Sequence, residues 1–144
     1  MFEYDEEKIK KYGKENEKLI EGFETYLEEK KLAPKTIKKH VRHASFYIND
    51  YVLEHHSASA AEAIAPVYLD DFFDWFFIRK CMWSSPATIK ETASSIKKFY
   101  TFMYEKGHVE KQAYEDMKFH LKESVPEYCE DCQIYNDGGE YIEI

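Results

Sequence analysis

Two prolines divide the middle of this chain into segments with helical patterning. Pro34 follows Ala33, Pro86 follows Ser85, and each opens a stretch in which apolar residues recur every three or four positions. A proline suits the first turn of a helix, because the N–H that it lacks would have no intrahelical partner there. The chain has only five glycines and four prolines, whereas aromatic residues make up 17% of it. This pattern predicts a well-packed all-α fold in one domain.

The apolar spacing predicts a bundle of four or five helices. They are expected over residues 17–32, 34–53, 67–82, 86–106 and 109–122, with a surface loop at His55-His56. We expect residues 1–16 to be a charged helical extension, 17–123 to be the core domain and 124–144 to be an acidic tail. In that tail, Ile134-Tyr135 and Tyr141–Ile144 flank Asn136-Asp137-Gly138-Gly139, which is typical of a small β-hairpin.

The charge of the chain is unevenly distributed. The formal net charge is −8, and acidic proteins are usually repelled by nucleic acids. However, residues 123–144 hold seven acids and no bases, whereas residues 32–122 hold eleven acids and thirteen bases. Between Leu32 and Asn49 there is no acid at all. The middle of the chain is therefore mildly basic, and its charge does not exclude an anionic partner.

The predicted helix two carries its basic residues at helical spacing. Lys35, Lys38, Lys39 and Arg42 recur at intervals of three and four, which places them on one face, with Thr36 and His43 as hydrogen-bonding neighbours. Near a helix N-terminus, backbone N–H groups add favourable potential toward phosphate. The predicted helix four offers a similar set: Ser85, Thr88, Lys90, Lys97 and Lys98. Such lysines are typical either of phosphate contacts or of an ordinary solvated helix face.

Two segments resemble a known family. One runs through Phe23-Glu24-Thr25-Tyr26-Leu27 and Leu32-Ala33-Pro34-Lys35-Thr36-Ile37, and the other runs from Ser84-Ser85-Pro86-Ala87-Thr88-Ile89-Lys90 to Lys97-Lys98-Phe99-Tyr100 and Gly107. Together they resemble the N-terminal core-binding domain of tyrosine recombinases and phage integrases, over about residues 19–122. The resemblance implies a SAM-like orthogonal bundle whose helices two and four lie against DNA as half of a C-shaped grip.

The chain departs from that family in three places. His40 stands where the family commonly has an aromatic residue, and Glu110-Lys111-Gln112-Ala113 replaces an expected Asn-Pro pair. The recombinase catalytic domain has no counterpart after the predicted fifth helix. We therefore expect a non-catalytic module without a cofactor, a protein of the cytoplasm that acts with a partner recombinase or belongs to a mobile element.

The predicted partner is double-stranded DNA, bound weakly or without sequence preference. Only about four to seven phosphates would be neutralised, so the affinity should fall steeply with salt. Arg42 is the one candidate for base contacts, because arginine can present a bidentate fork to guanine. The alternative is a protein interaction or homodimerisation module on the same scaffold. The most apolar stretch, 72–78, is far shorter than the ~20 residues of a membrane span.

Other clusters carry weaker predictions. Cys129 and Cys132 have the spacing of a zinc knuckle, but a structural zinc site needs four ligands and the third cysteine, Cys81, is distant in the sequence, so we expect no metal. Asp70, Asp71 and Asp74 are interpreted as the solvent side of an amphipathic helix rather than as a carboxylate pair. The acidic tail has two interpretations, a solubilising segment or a phosphate mimic that folds back over helix two.

Overall fold

The computed structural model describes residues 5–81 and 83–138, and over these residues the chain is an all-α bundle of five helices without a strand. The predicted fold class is confirmed. Three of the helices are regular: α1 (Glu6–Glu29), α4 (Pro86–Glu105) and α5 (Lys111–Asn136). Helix α2 starts as Pro34–Ser45, continues in π-helical turns over Phe46–Leu53 and ends with a turn at Glu54–His56. Helix α3 starts as Pro66–Asp71, continues in π-helical turns over Phe72–Phe76 and ends with Phe77–Lys80.

Helix α1 begins at Glu6, so the described part of the predicted charged extension is helical and runs without a break into the helix expected from residue 17. Asp5 caps it by accepting hydrogen bonds from the backbone N–H groups of Glu7 and Lys8, both at 3.1 Å. The charged stretch before residue 17 is therefore continuous with the helix that follows it. Asn16 explains why this half is not peripheral, since its side chain is only 1% exposed and packs against α2. The spacing of apolar residues does not predict this contact, because the buried residue is polar.

The π-helical turns of α2 and α3 face each other in an aromatic core. Phe46 and Tyr51 of α2 contact Phe72 and Phe76 of α3, with ring centroids between 5.0 and 6.0 Å apart. In a π-helical turn the backbone carbonyls bond to N–H groups five residues further along the chain, one more than in an α-helix. Asn16 donates a hydrogen bond to one of them, the carbonyl of Ile48, at 3.4 Å. Residues 55–56, predicted as a loop, instead end α2.

Helix α4 is the central element, because it packs against both α2 and α5. Ser85 accepts a hydrogen bond from the Thr88 N–H while Thr88 accepts one from the Ser85 N–H, which forms a reciprocal cap at its start. Gly107 ends it with φ of 79°, a left-handed conformation that glycine adopts without strain. The predicted boundaries of this helix are thus confirmed to within one residue.

Helix α5 extends fourteen residues beyond its predicted end at Lys122. The predicted hairpin is wrong in its first strand, since Ile134 and Tyr135 are helical; Tyr141–Ile144 lie outside the described residues. Tyr128 and Cys132 are 1% and 0% exposed, so this part of the acidic tail belongs to the core. Their burial offsets the cost of the proline at 126 inside the helix, about 3 kcal/mol. None of the helices formed by residues 5–81 and 83–138 is both long and apolar enough to span a bilayer.

Candidate nucleic-acid interface

The N-terminal half of α2 presents the predicted basic face to solvent. Lys35, Lys38 and Arg42 are exposed, as is Thr36, whereas Lys39 is half-buried. No side chain caps the start of α2, and its first turn carries no acid. The uncapped N–H groups of that turn therefore add to the positive potential of the lysines.

Helix α4 lies alongside this face and modifies it. Lys39 Nζ is 3.5 Å from Glu91 Oε1 of α4, so one of the predicted phosphate-binding lysines already has an ionic partner. Lys98 and Lys39 lie close enough to His40 that their charges lower the pKa of its imidazole, after the larger effect of burial. Lysines from α2 and α4 thus surround the same seam between the two helices.

His43 is not an exposed DNA contact, contrary to its prediction. It is 7% exposed, and His40 beside it is 8% exposed. The Nδ1 atoms of His40 and His43 lie 2.8 and 2.9 Å from Ser95 Oγ of α4. Because a serine hydroxyl has one proton, at least one of the two imidazoles must donate its Nδ1–H to it.

The electrostatics of this seam keep both histidines neutral near pH 7. Burial and, to a smaller extent, the charge of the adjacent Arg42 together lower the pKa of His43 to about 4. Burial also lowers the pKa of His40. The two imidazoles therefore add no cation to the face at neutral pH, and their role is to join α2 to α4. Ser95 is 0% exposed and cannot reach a substrate.

On α4, the predicted contacts separate into two groups. Lys90, Lys97 and Lys98 are exposed. By contrast, the hydroxyls of Ser85 and Thr88 are engaged in the reciprocal cap, with their oxygens 3.1 Å apart. The two side chains therefore cap the start of α4, which the sequence pattern also indicated. We do not retain Ser85 and Thr88 as DNA contacts.

Sequence reasoning missed two lysines on α5. Lys118 and Lys122 line a groove of about 430 Å³ between α4 and α5, opposite Lys90 and Lys97. The spacing of four between residues 118 and 122 was visible in the sequence. Their proximity to α4 was not, because it depends on how the helices pack.

Two consecutive acids of α3 hold separate tyrosine and histidine partners. Asp70 accepts a hydrogen bond from the Tyr128 hydroxyl at 2.6 Å and lies 2.7 Å from His120 Nε2, both on α5. Asp71 accepts one from Tyr51 of α2 at 2.5 Å. Both acids lie on the solvent side of α3, as interpreted, with each side chain about half exposed, and they also make these contacts with α2 and α5. The pair ties α3 to two neighbouring helices.

A further carboxyl pair joins α3 to the end of α5. Burial and a hydrogen bond with Asp131 are the two largest causes that raise the pKa of Asp74 to about 7. The negative charges of Asp131, Asp70 and Glu127 act in the same direction. The helical part of the tail thus places Glu127 and Asp131 near Asp74 of α3 rather than over the basic face of α2.

The three thiols lack the environment of a redox or metal site. Cys81, Cys129 and Cys132 are all buried. Burial raises the pKa of Cys81 to about 11 and raises the pKa values of the other two, which disfavours the reactive thiolate. Across residues 5–81 and 83–138, no group of three or more metal-ligating side chains is assembled.

Comparisons with models of protein families, with curated proteins and with solved structures found no match for this chain. The geometry of the basic face is therefore the ground for a functional proposal.

Proposed function

We propose that this protein is a non-catalytic DNA-binding module that grips duplex DNA with the exposed basic face of α2 and α4. The observation that carries the proposal is the convergence of cations from helices more than 40 residues apart in sequence. Lys35, Lys38 and Arg42 come from α2, and Lys97 and Lys98 come from α4, which packs against it. This is the pair of helices that the integrase resemblance implies.

Ion pairing supports the availability of these cations. Among the described residues, Lys39 has an acid within 4 Å. The other basic residues of the face have none; these are Lys35, Lys38, Arg42, Lys97 and Lys98. Such unpaired cations can replace the counterions that condense on phosphates. With about five contacts, log K should fall with log salt with a slope of roughly −4 to −5. The binding should therefore be weak at physiological salt.

The absence of catalysis is also part of the proposal. In the described part of the chain, the thiols and the serine that contacts two imidazoles are buried away from solvent. A hydrolytic or strand-cleaving group must reach the scissile phosphate, and none of these groups is placed to do so. The proposed role is accordingly to hold DNA, alone or beside a partner recombinase.

The test is a fluorescence anisotropy titration with a labelled random-sequence duplex of about two helical turns. Each phosphate contact contributes about 0.9 to the slope of log K against log salt, which amounts to about 0.9 in log K at 0.1 M relative to 1 M salt. We therefore expect Lys38→Gln/Arg42→Gln, which removes two contacts, to weaken binding by up to roughly 60-fold at 0.1 M salt. The matched control is Lys10→Gln/Lys14→Gln, which removes two exposed lysines at the same spacing from α1. Equal affinity of both variants would overturn the proposal, as would no binding by the wild type.

A second candidate function is protein binding through an exposed aromatic surface formed by α3 and the end of α5. Trp75 and Tyr135 are 49% and 41% exposed, and the guanidinium of Arg79 lies 5.6 and 5.4 Å from their ring centroids. Exposed aromatic residues with arginine are enriched in protein interfaces. Sedimentation velocity of the wild type and of Trp75→Ser over a range of concentrations would test self-association at this surface.

A further inference from the structure

We infer that α5 is a third DNA-gripping helix, and that the groove between α4 and α5 holds the sugar–phosphate backbone next to the α2–α4 face. The inference rests on the proposed function and extends it to residues that neither the sequence pattern nor the family resemblance assigns. The groove measures about 430 Å³. Its walls carry Lys90 and Lys97 of α4 and Lys118 and Lys122 of α5.

The groove has the charge of an anion site. Its lining residues, all of which lie in the described part of the chain, include four lysines and no acid. Lys90, Lys97 and Lys122 have no acid within 4 Å among the described residues, and Lys118 has one on its own helix, Glu115, at 3.4 Å. Unpaired cations facing one groove repel each other, and an anion between them relieves that repulsion.

The rest of the groove lining differs from the lysines. Apart from the exposed Ser94 it is apolar and consists of Ala93, Leu121, Val125 and Pro126. A groove lined by both apolar residues and lysines matches a sugar–phosphate strand, whose deoxyribose carbons are apolar and whose phosphates are anionic. The groove is lined by no aromatic residue, so it lacks the stacking platform of a single-strand binding site.

The position of α4 connects the groove to the proposed DNA face. Residues 90, 94, 97 and 98 are spaced by three and four, so they form one exposed strip along α4. Lys98 lies toward α2, where its charge acts on His40. Lys97 lines the groove toward α5. A single duplex lying over this strip would therefore meet cations on both sides of it.

The experiment compares three double variants in the same anisotropy titration over a series of salt concentrations. Lys118→Gln/Lys122→Gln tests the groove, Lys38→Gln/Arg42→Gln tests α2, and Lys10→Gln/Lys14→Gln is the control. We expect the groove variant to lower the salt slope by about 1.8 and the affinity by up to roughly 60-fold at 0.1 M salt, while the control leaves both unchanged. Lys122→Gln alone should produce about half of the slope change.

The outcomes separate the two proposals. Loss of binding in the α2 variant with none in the groove variants would overturn this inference and leave the proposed function standing. Loss in the groove variants alone would support the groove and overturn the grip by α2. No binding by the wild type would overturn both. Poly-L-glutamate bound as tightly as the duplex, with the same loss in the groove variant, would identify an acidic protein partner and also overturn the inference.

Discussion

Substitution of Ser95 by alanine should destabilise the fold by about 2–4 kcal/mol. The hydroxyl is fully buried, and it lies within 2.9 Å of the Nδ1 atoms of two buried histidines, His40 and His43. Its removal leaves two buried ring nitrogens without their partner, and an unsatisfied buried polar group costs about 1–3 kcal/mol. At this chain length 1 kcal/mol corresponds to roughly 3–5 °C, so a loss of about 2–4 kcal/mol should lower the Tm by roughly 6–20 °C.

The assay is thermal unfolding followed by circular dichroism, with the Tm of each variant compared at pH 7. Ser94→Ala is the matched control, because Ser94 is the exposed neighbour on the same helix and should change stability by less than about 0.5 kcal/mol. At 10 °C, where Ser95→Ala should still be folded, its DNA affinity should equal that of the wild type. Equal Tm values for the two variants would refute the role of Ser95 as the link between α2 and α4.

Two further predictions concern stability. The folded-state pKa of Asp74, raised by burial and Asp131 to about 7, exceeds the ordinary value of 3.8; the contribution of Asp74 to stability is therefore fully present below about pH 4 and is lost as the pH rises through 7. Asp74→Asn should therefore raise the Tm at pH 8 and flatten its dependence on pH, and a steeper dependence would contradict this. Asn16→Ala removes a hydrogen bond to the Ile48 carbonyl and should cost about 1–3 kcal/mol in urea unfolding. The exposed Glu17→Ala is its control, and equal midpoints would oppose the assignment.

The sequence predicts those helix ends that are determined locally. Ser85 and Pro86 at the start of α4 and Gly107 at its end act through their own backbone, and the structure confirms them. The end of α5 is different, because it depends on the burial of Tyr128 and Cys132 against distant helices. The spacing of apolar residues becomes irregular in the acidic, proline-containing segment after residue 122, so it does not predict that burial. The hairpin prediction failed for the same reason.

The basic face could be predicted only in part. The spacing from Lys35 to Arg42 is a property of one helix, so its placement on a single exposed side followed from the sequence. The burial of His43 and the ion pair of Lys39 depend on Glu91 and Ser95, which lie about 50 residues away. Tertiary contacts of this length leave no periodic signal in either helix.

The same limit explains why net charge is a poor guide to the partner of this protein. Helix α5 carries Lys118 and Lys122 toward α4, but Glu127 and Asp131 act on Asp74 of α3. A helix that is acidic in sum therefore presents cations on one side and carboxylates on another. Since the interaction of exposed charges is screened within about 8–10 Å at physiological salt, a ligand in the groove responds to the nearest lysines more than to the total of −8. The proposed DNA grip therefore predicts that a duplex would approach with α2, α4 and α5 against it and with the acids of α3 turned away from it.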